Sequence, residues 1–174
     1  EEEMQAMLTA FTERLKQLIK HVYGRDIHEY DLSNMDTPTT CSCATCLAAL
    51  EKYKSNAGAY VIFANKASEM IFDWMKNDPE GQKYYDEDFK IKIMAYHKFE
   101  AAPAVYDEAT KSYKPIADEV RLGDHVTVMI APIYTNFVQS IYTENNISYY
   151  RVIEGWKAVS SGNMDFWLYC TNFK

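Results

Sequence analysis

The chain has 174 residues, of which 48% are apolar and 14% aromatic. This length fits one domain, and so high a content of core-forming residues excludes intrinsic disorder. The formal net charge is −7 without any dense cluster of Lys or Arg, and no apolar run approaches the ~18 residues that cross a membrane, so neither a nucleic-acid partner nor a membrane span is expected.

Two long amphipathic helices are predicted from apolar residues spaced at i, i+3, i+4 and i+7. The first occupies residues 1–22, and Gly24 ends it. The second has its apolar stripe over residues 60–74, with Ser55 or Asn56 as its N-cap. Shorter helical segments are predicted at residues 47–53, 137–142 and 149–159.

Four strands are predicted between these helices, near residues 27–32, 89–96, 125–131 and 165–170. Because helical segments separate most of them, we expect the four strands to be parallel neighbours in that order. The connection over residues 97–123 is long and irregular, with two β-branched stretches that could pair briefly. The fold class is therefore α/β, built from parallel β/α units.

Four β/α units fit either a Rossmann-like sheet or about half of an eight-stranded (β/α)8 barrel, which normally needs ~250 residues. No break in composition divides the chain, so residues 1–174 are interpreted as a single α/β domain. Neither a GxGxxG nor a GxxxxGK[ST] motif is present, which disfavours nucleotide binding, and no cofactor is expected.

Candidate site residues follow the carboxyl ends of the predicted strands, where parallel β/α folds place their function. They are carboxylates, amides, a histidine and aromatic residues, and none is Lys or Arg. The set is Asp31, Asn34, Asp36, Tyr96, His97, Glu100, Tyr134, Trp167, Tyr169 and Asn172. Such side chains suit a neutral, polyhydroxylated ligand better than a phosphate, although Asn and Asp are also common in ordinary turns.

Three of the four cysteines form a C-x-C-x-x-C cluster, Cys41, Cys43 and Cys46. As a zinc site they supply three thiolates, but a fourth ligand is not evident: His28 and the distant Cys170 are candidates without further support. As a redox pair, Cys43 and Cys46 have C-x-x-C spacing without the expected order of elements. The structural interpretation, in which the thiols hold a loop onto the rim of the fold, is favoured, and no metal is assigned.

The order of several short motifs resembles a family of uncharacterised bacterial domains. The motifs are Leu32-Ser33-Asn34-Met35-Asp36, the C-x-C-x-x-C run, Phe63-Ala64-Asn65 in a helix, Ala95-Tyr96 at a strand end, Pro103 in the next loop, and a final Trp167-x-Tyr169-x-x-Asn172-Phe173. The barrel of that family is similar to family 20 (hexosaminidase-type) glycoside hydrolases and to α-glucuronidases. The resemblance spans about residues 20–174.

The resemblance implies that the chain holds the middle strands of a (β/α)8 barrel. A second copy, or the remaining strands of a larger protein, should then cover the open edges and inner face. It also favours a secreted, periplasmic or cell-surface location. The chain departs from hexosaminidases at one point, because no Glu follows Asp36 to complete their adjacent Asp-Glu pair.

The resemblance and the strand-end residues together predict a glycoside hydrolase-like domain that acts on glycans. Glycoside hydrolysis uses two carboxyl groups, and Asp36 is the candidate acid. Its candidate partner is Glu100, with Asp31 or a residue on further strands of the barrel as alternatives. The predicted sugar-binding residues are the aromatic platform and the hydrogen-bonding groups around it: Tyr96, Tyr134, Trp167, Tyr169, Asn34, His97 and Asn172. The alternative is a non-catalytic carbohydrate-binding module or a thiolate-metal structural module.

Overall fold

The secondary structure is known from a computed structural model that describes residues 2–33, 39–160 and 164–168. The helices in these ranges are α1 (Glu2–Val22), α2 (Ala44–Tyr53), α3 (Ala57–Asn77) and α4 (Ile147–Ser160). The strands are β1 (Glu29–Leu32), β2 (Lys90–Ala95), β3 (Ala104–Asp107), β4 (Ser112–Pro115), β5 (Val126–Ile130) and β6 (Met164–Phe166).

The main sheet contains four parallel strands in the order β1-β2-β5-β6. This confirms the prediction that the four strands are parallel neighbours in chain order. In the register of the sheet, Ile91 of β2 lies between Tyr30 of β1 and Val126 of β5. The remaining two strands form a separate antiparallel hairpin, so the two β-branched stretches of the long connection do pair.

One face of the sheet packs against the helices. Residues that alternate along the strands, such as Tyr30, Ile91, Ile93 and Val128, are buried in one cluster with apolar side chains of α1, α3 and α4. Helix α3 lies against β2 and β5, while α4 lies against β5 and β6. The hydrophobic core therefore lies between this face and the helical layer, as the apolar periodicity requires.

The opposite face of the sheet carries charged and polar side chains. Lys92 at its centre forms ion pairs with Glu29 of the neighbouring strand and with Asp165 of β6, the latter at 3.3 Å. Partial burial lowers the pKa of Lys92, but the hydrogen bonds with Glu29 and Asp165 outweigh it, so that the pKa is raised overall. The hydroxyl of Thr127 is buried on this face without a hydrogen-bond partner.

One predicted element and one predicted residue position differ from the structure. Residues 137–142 form consecutive turns and not a helix. The side chains of Asn136 and Ser140 accept hydrogen bonds from the N–H groups of Val138 and Tyr142, which stabilises turns in competition with a helix. Asp31 lies inside β1, not beyond its end.

Asn65, part of the Phe63-Ala64-Asn65 motif, joins α3 to the loop that precedes β5. Its side-chain amide donates to the Arg121 carbonyl at 2.7 Å and accepts from the Gly123 N–H at 2.9 Å. The amide N–H and the carbonyl oxygen of the Asn65 side chain thus both bind the backbone of this loop. This motif residue therefore links α3 to the loop that leads into β5.

Candidate functional site

A cavity of about 320 Å³ lies at the carboxyl ends of β2 and β5. Its lining residues come from the loops that follow these two strands and from helix α4. They are Tyr96, His97, Lys98, Glu100, Ile133, Tyr134 and Tyr149. Four of the predicted site residues, Tyr96, His97, Glu100 and Tyr134, therefore line a single cavity.

Tyr96 and His97 are placed by a sharp turn directly after β2. Tyr96 is still extended, and His97 begins a single 3-10 turn that ends at Phe99. The backbone of His97 has a φ of 49°, a left-handed conformation that is uncommon for a residue with a side chain. The two rings lie side by side with centroids 3.9 Å apart. The turn thus presents a tyrosine and an imidazole together at the end of the strand.

Glu100 is the acidic residue of the cavity, and its backbone is anchored in the core. Its carbonyl accepts a hydrogen bond of 2.8 Å from the indole N–H of the buried Trp156. Its carboxylate interacts with the hydroxyl of Tyr149. Burial, and then the neighbouring Glu100 carboxylate, raise the pKa of Tyr149, so this tyrosine is a neutral hydrogen-bonding group at physiological pH.

Tyr134 lies on the loop after β5 and is 78% exposed. Its N–H donates to the hydroxyl of Tyr149 at 3.3 Å. Asn146, which is completely buried, holds the rest of this loop by accepting from the Asn136 N–H and donating to the Asn136 carbonyl. The Tyr134 ring is therefore free to meet a ligand, while the backbone that carries it is fixed.

Two contacts hold the chain on either side of residues 34–38. The hydroxyl of Tyr60 in α3 donates to the carbonyl of Leu32, and the ammonium of Lys98 donates to the carbonyl of Thr39 at 2.7 Å. The ring of Tyr60 also packs on Phe99, with centroids 4.6 Å apart. Leu32 and Thr39 are thereby linked to the turn that carries the cavity residues.

Two other predicted residues are not brought into the cavity. Asp31 lies on the polar face of the sheet, and Trp167 follows β6 without lining the cavity. The predicted residues Asn34, Asp36, Tyr169 and Asn172 lie outside the described residues.

Three lining residues were absent from the prediction: Lys98, Ile133 and Tyr149. Lys98 directly follows His97, and Ile133 directly precedes Tyr134. Their positions just after the ends of β2 and β5 could therefore have identified both residues. Tyr149 belongs to α4, and no pattern along the chain relates it to Glu100. Lys98 also corrects the expectation that the site contains no cation.

A second cavity, of about 430 Å³, lies at the opposite, amino-terminal edge of the sheet. It is lined by the end of α1, the residues before β1 and residues 84–86. This cavity is larger, but none of the predicted site residues lines it. Parallel β/α folds bind their ligands at the carboxyl ends of the strands, which is the other edge of the sheet. The cavity with Tyr96 and Glu100 is therefore the better candidate site.

We expect the stability of the protein to depend on pH through His28, at the amino-terminal edge of the sheet. The carboxylates of Asp86, and then of Asp26, accept hydrogen bonds from the His28 ring and raise the pKa of His28. A pKa that is higher in the folded state than in the unfolded state stabilises the fold. This stabilisation is full below the unfolded-state pKa of about 6.5 and is lost as the pH rises through the folded-state pKa. We expect the melting temperature of wild type to exceed that of His28→Gln below the unfolded pKa of about 6.5, and the difference to shrink as the pH rises through the folded pKa.

Thermal unfolding of both proteins across this pH range measures the difference. His21→Gln is the matched control, because His21 lies outside this ion-pair cluster. A difference between wild type and His28→Gln that does not change with pH would contradict the ion-pair explanation.

Among the described residues, two groups of side chains have the donor atoms of a metal site. His28, Asp86 and Asp88 form one, but both ring nitrogens of His28 are already hydrogen-bonded to carboxylates. The thiols of Cys41, Cys43 and Cys46 form the other, and their sulfur atoms all lie within 4.8 Å of one another. The three cysteines are exposed, and no disulfide joins them to one another.

Comparisons with known proteins place the chain in one family. Although α1 and α3 each have 21 residues, no described helix is long and apolar enough to cross a membrane. No curated protein and no solved structure matches the sequence. The model of a domain of unknown function, DUF4838, matches residues 4–174. Since this match covers almost the whole chain, the protein belongs to the DUF4838 family.

Proposed function

We propose that the domain acts on glycans as part of a glycoside hydrolase-like barrel. The observation that carries this proposal is the cavity in which Tyr96, His97, Glu100 and Tyr134 come together at the carboxyl ends of β2 and β5. Aromatic rings provide flat apolar surfaces for sugar rings, while the carboxylate, imidazole and phenol groups can hydrogen-bond hydroxyls. The volume of about 320 Å³ is at the small end of ligand pockets and suits one sugar unit.

The barrel part of the proposal is supported by how the sheet is covered. The strands follow one another in chain order, and the helices that contact them contribute to a single core on one face. A doubly wound sheet would instead carry helices on both faces. In a closed barrel the polar face, with Lys92 and its two carboxylate partners, would line the interior.

The chemistry that we propose requires two carboxyl groups. Asp36 is the proposed proton donor, and Glu100 is the proposed base or nucleophile on the other side of the sugar. The resemblance to glycoside hydrolases supports Asp36, which lies outside the described residues. The contacts of Leu32 with Tyr60 and of Thr39 with Lys98 hold the flanking residues beside the turn that carries Glu100. Lys98 would favour a sugar with an acidic group.

A non-catalytic carbohydrate-binding module is the second candidate function. One observation favours it: among the described residues, Glu100 is the one carboxylate that lines the cavity. With a single carboxyl group the site can still bind a sugar but cannot complete the two-carboxylate reaction. Both candidate functions imply a glycan ligand, but only the hydrolase would cleave it.

The proposal is tested by measuring binding of a panel of neutral and uronic-acid oligosaccharides by calorimetry. We expect at least one oligosaccharide to bind wild type, and Tyr96→Ala or Tyr134→Ala to weaken that binding about tenfold. Tyr106→Ala is the matched control, because Tyr106 is an exposed tyrosine on the β3–β4 hairpin and does not line the cavity. Binding that is unaffected by both cavity variants, or absent across the panel, would refute the site.

A further inference from the structure

We propose that Cys41, Cys43 and Cys46 form a zinc site with three thiolate ligands and a fourth position open to solvent. The starting observation is geometric. The three sulfur atoms come from a six-residue segment and all lie within 4.8 Å of one another. Zn–S bonds of 2.3 Å in a tetrahedron place sulfur atoms about 3.8 Å apart.

The local backbone produces this convergence. Cys43 is the N-cap of α2 in an extended conformation, with φ −66° and ψ 158°, and it makes no side-chain cap hydrogen bond. Cys46 lies within the first turn of the helix, and Cys41 precedes the cap by two residues. The extended residues and the helical turn thus direct three side chains to one point.

The surroundings of the cluster fit a metal better than a buried structural role. The three thiols are exposed and form no disulfide among themselves, so they add neither apolar burial nor a covalent link. A disulfide would use only two of the three sulfurs and would leave the third without a role. Zn²⁺ is a divalent cation that prefers sulfur ligands, and it would offset the negative charge of three deprotonated thiols at this separation.

His28 does not supply the fourth ligand. It precedes β1, at the edge of the sheet opposite to the end that leads into the cysteine segment, and it is hydrogen-bonded to Asp26 and Asp86. Water can occupy the fourth position, as in zinc sites with three protein ligands. When zinc binds, each thiol releases its proton to solvent as its Zn–S bond forms.

The proposed site has a consequence for the cavity. Zinc would fix the start of α2 relative to residues 41–43, next to Thr39, whose carbonyl accepts from Lys98 of the cavity. The metal would thereby stabilise the rim of the cavity without contacting its ligand. This role is independent of whether the cavity binds a glycan.

The test is titration of the purified, fully reduced chain with Co²⁺ as a spectroscopic probe, followed by displacement with Zn²⁺. We expect one metal per chain, sulfur-to-cobalt charge-transfer absorption, and visible bands of a tetrahedral site. The triple variant with Cys41→Ser, Cys43→Ser and Cys46→Ser should bind at least about a hundredfold more weakly. Ser42→Ala is the matched control, because it changes the same segment and keeps all three thiols.

A second measurement uses wild type alone, in case the triple variant does not fold. Saturating Zn²⁺ should slow alkylation of the three cysteines by iodoacetamide at least about tenfold, as followed by peptide mass spectrometry. Absence of the charge-transfer bands, equal affinity of the triple variant, or unchanged alkylation in zinc would overturn the proposal.

Discussion

Replacing Trp156 with alanine is expected to lower the free energy of unfolding by about 3–5 kcal/mol. Trp156 is fully buried in α4, within the core between the helices and the sheet. Its removal leaves a large cavity and also frees the carbonyl of Glu100 from its hydrogen bond with the indole N–H. Urea denaturation followed by circular dichroism measures the loss.

Two further variants separate the causes of this effect. Trp156→Phe keeps most of the apolar volume and loses the hydrogen bond, so it should cost less than Trp156→Ala, with about 1 kcal/mol of the loss due to that bond. Trp167→Ala is the matched control, since Trp167 is 51% exposed and should change stability by less than about 1 kcal/mol. Equal losses for Trp156→Ala and Trp167→Ala would show that the core has been assigned wrongly.

Replacing Asp36 with asparagine is expected to lower turnover of a glycan substrate by about a hundredfold or more while leaving the fold intact. In the proposed reaction Asp36 donates a proton to the departing sugar oxygen, and the nearly isosteric amide cannot do so. Glu100→Gln should lower turnover by a similar factor if Glu100 is the second carboxyl group. Hydrolysis rates with the oligosaccharide that binds most tightly measure both effects.

The control for these variants is Glu108→Gln, which neutralises an exposed carboxylate on the β3–β4 turn outside the cavity. NMR titration of the Asp36 carboxyl adds a readout that does not depend on a substrate. A proton donor near neutral pH needs a raised pKa, whereas a turn residue that accepts backbone hydrogen bonds has a lowered one. Full turnover by Asp36→Asn would remove Asp36 from the reaction.

The sheet could be predicted from the sequence because each strand leaves a local, periodic pattern of apolar residues. The alternation over residues 89–96 and the continuous apolar run at 125–131 correspond to β2 and β5, and helices between most of the strands imply a parallel sheet. The turns at residues 137–142 could not be predicted in the same way. Their apolar residues resemble a helix, but side-chain hydrogen bonds decide the conformation: Asn136 and Ser140 accept from backbone N–H groups, and the Asn146 amide donates to the Ser140 carbonyl.

The sequence by itself determined the α/β class, the order of the strands and four of the residues that line the cavity, since all of these follow from which residues end parallel strands. Tertiary structure alone decided that Tyr149 of α4 meets Glu100, that Lys98 reaches Thr39 across the cavity rim, and that the three thiols are exposed and converge. These relations depend on contacts between segments far apart in the chain, or on which side of a turn faces solvent. Long-range contacts and the orientation of a turn leave no periodic pattern in the sequence.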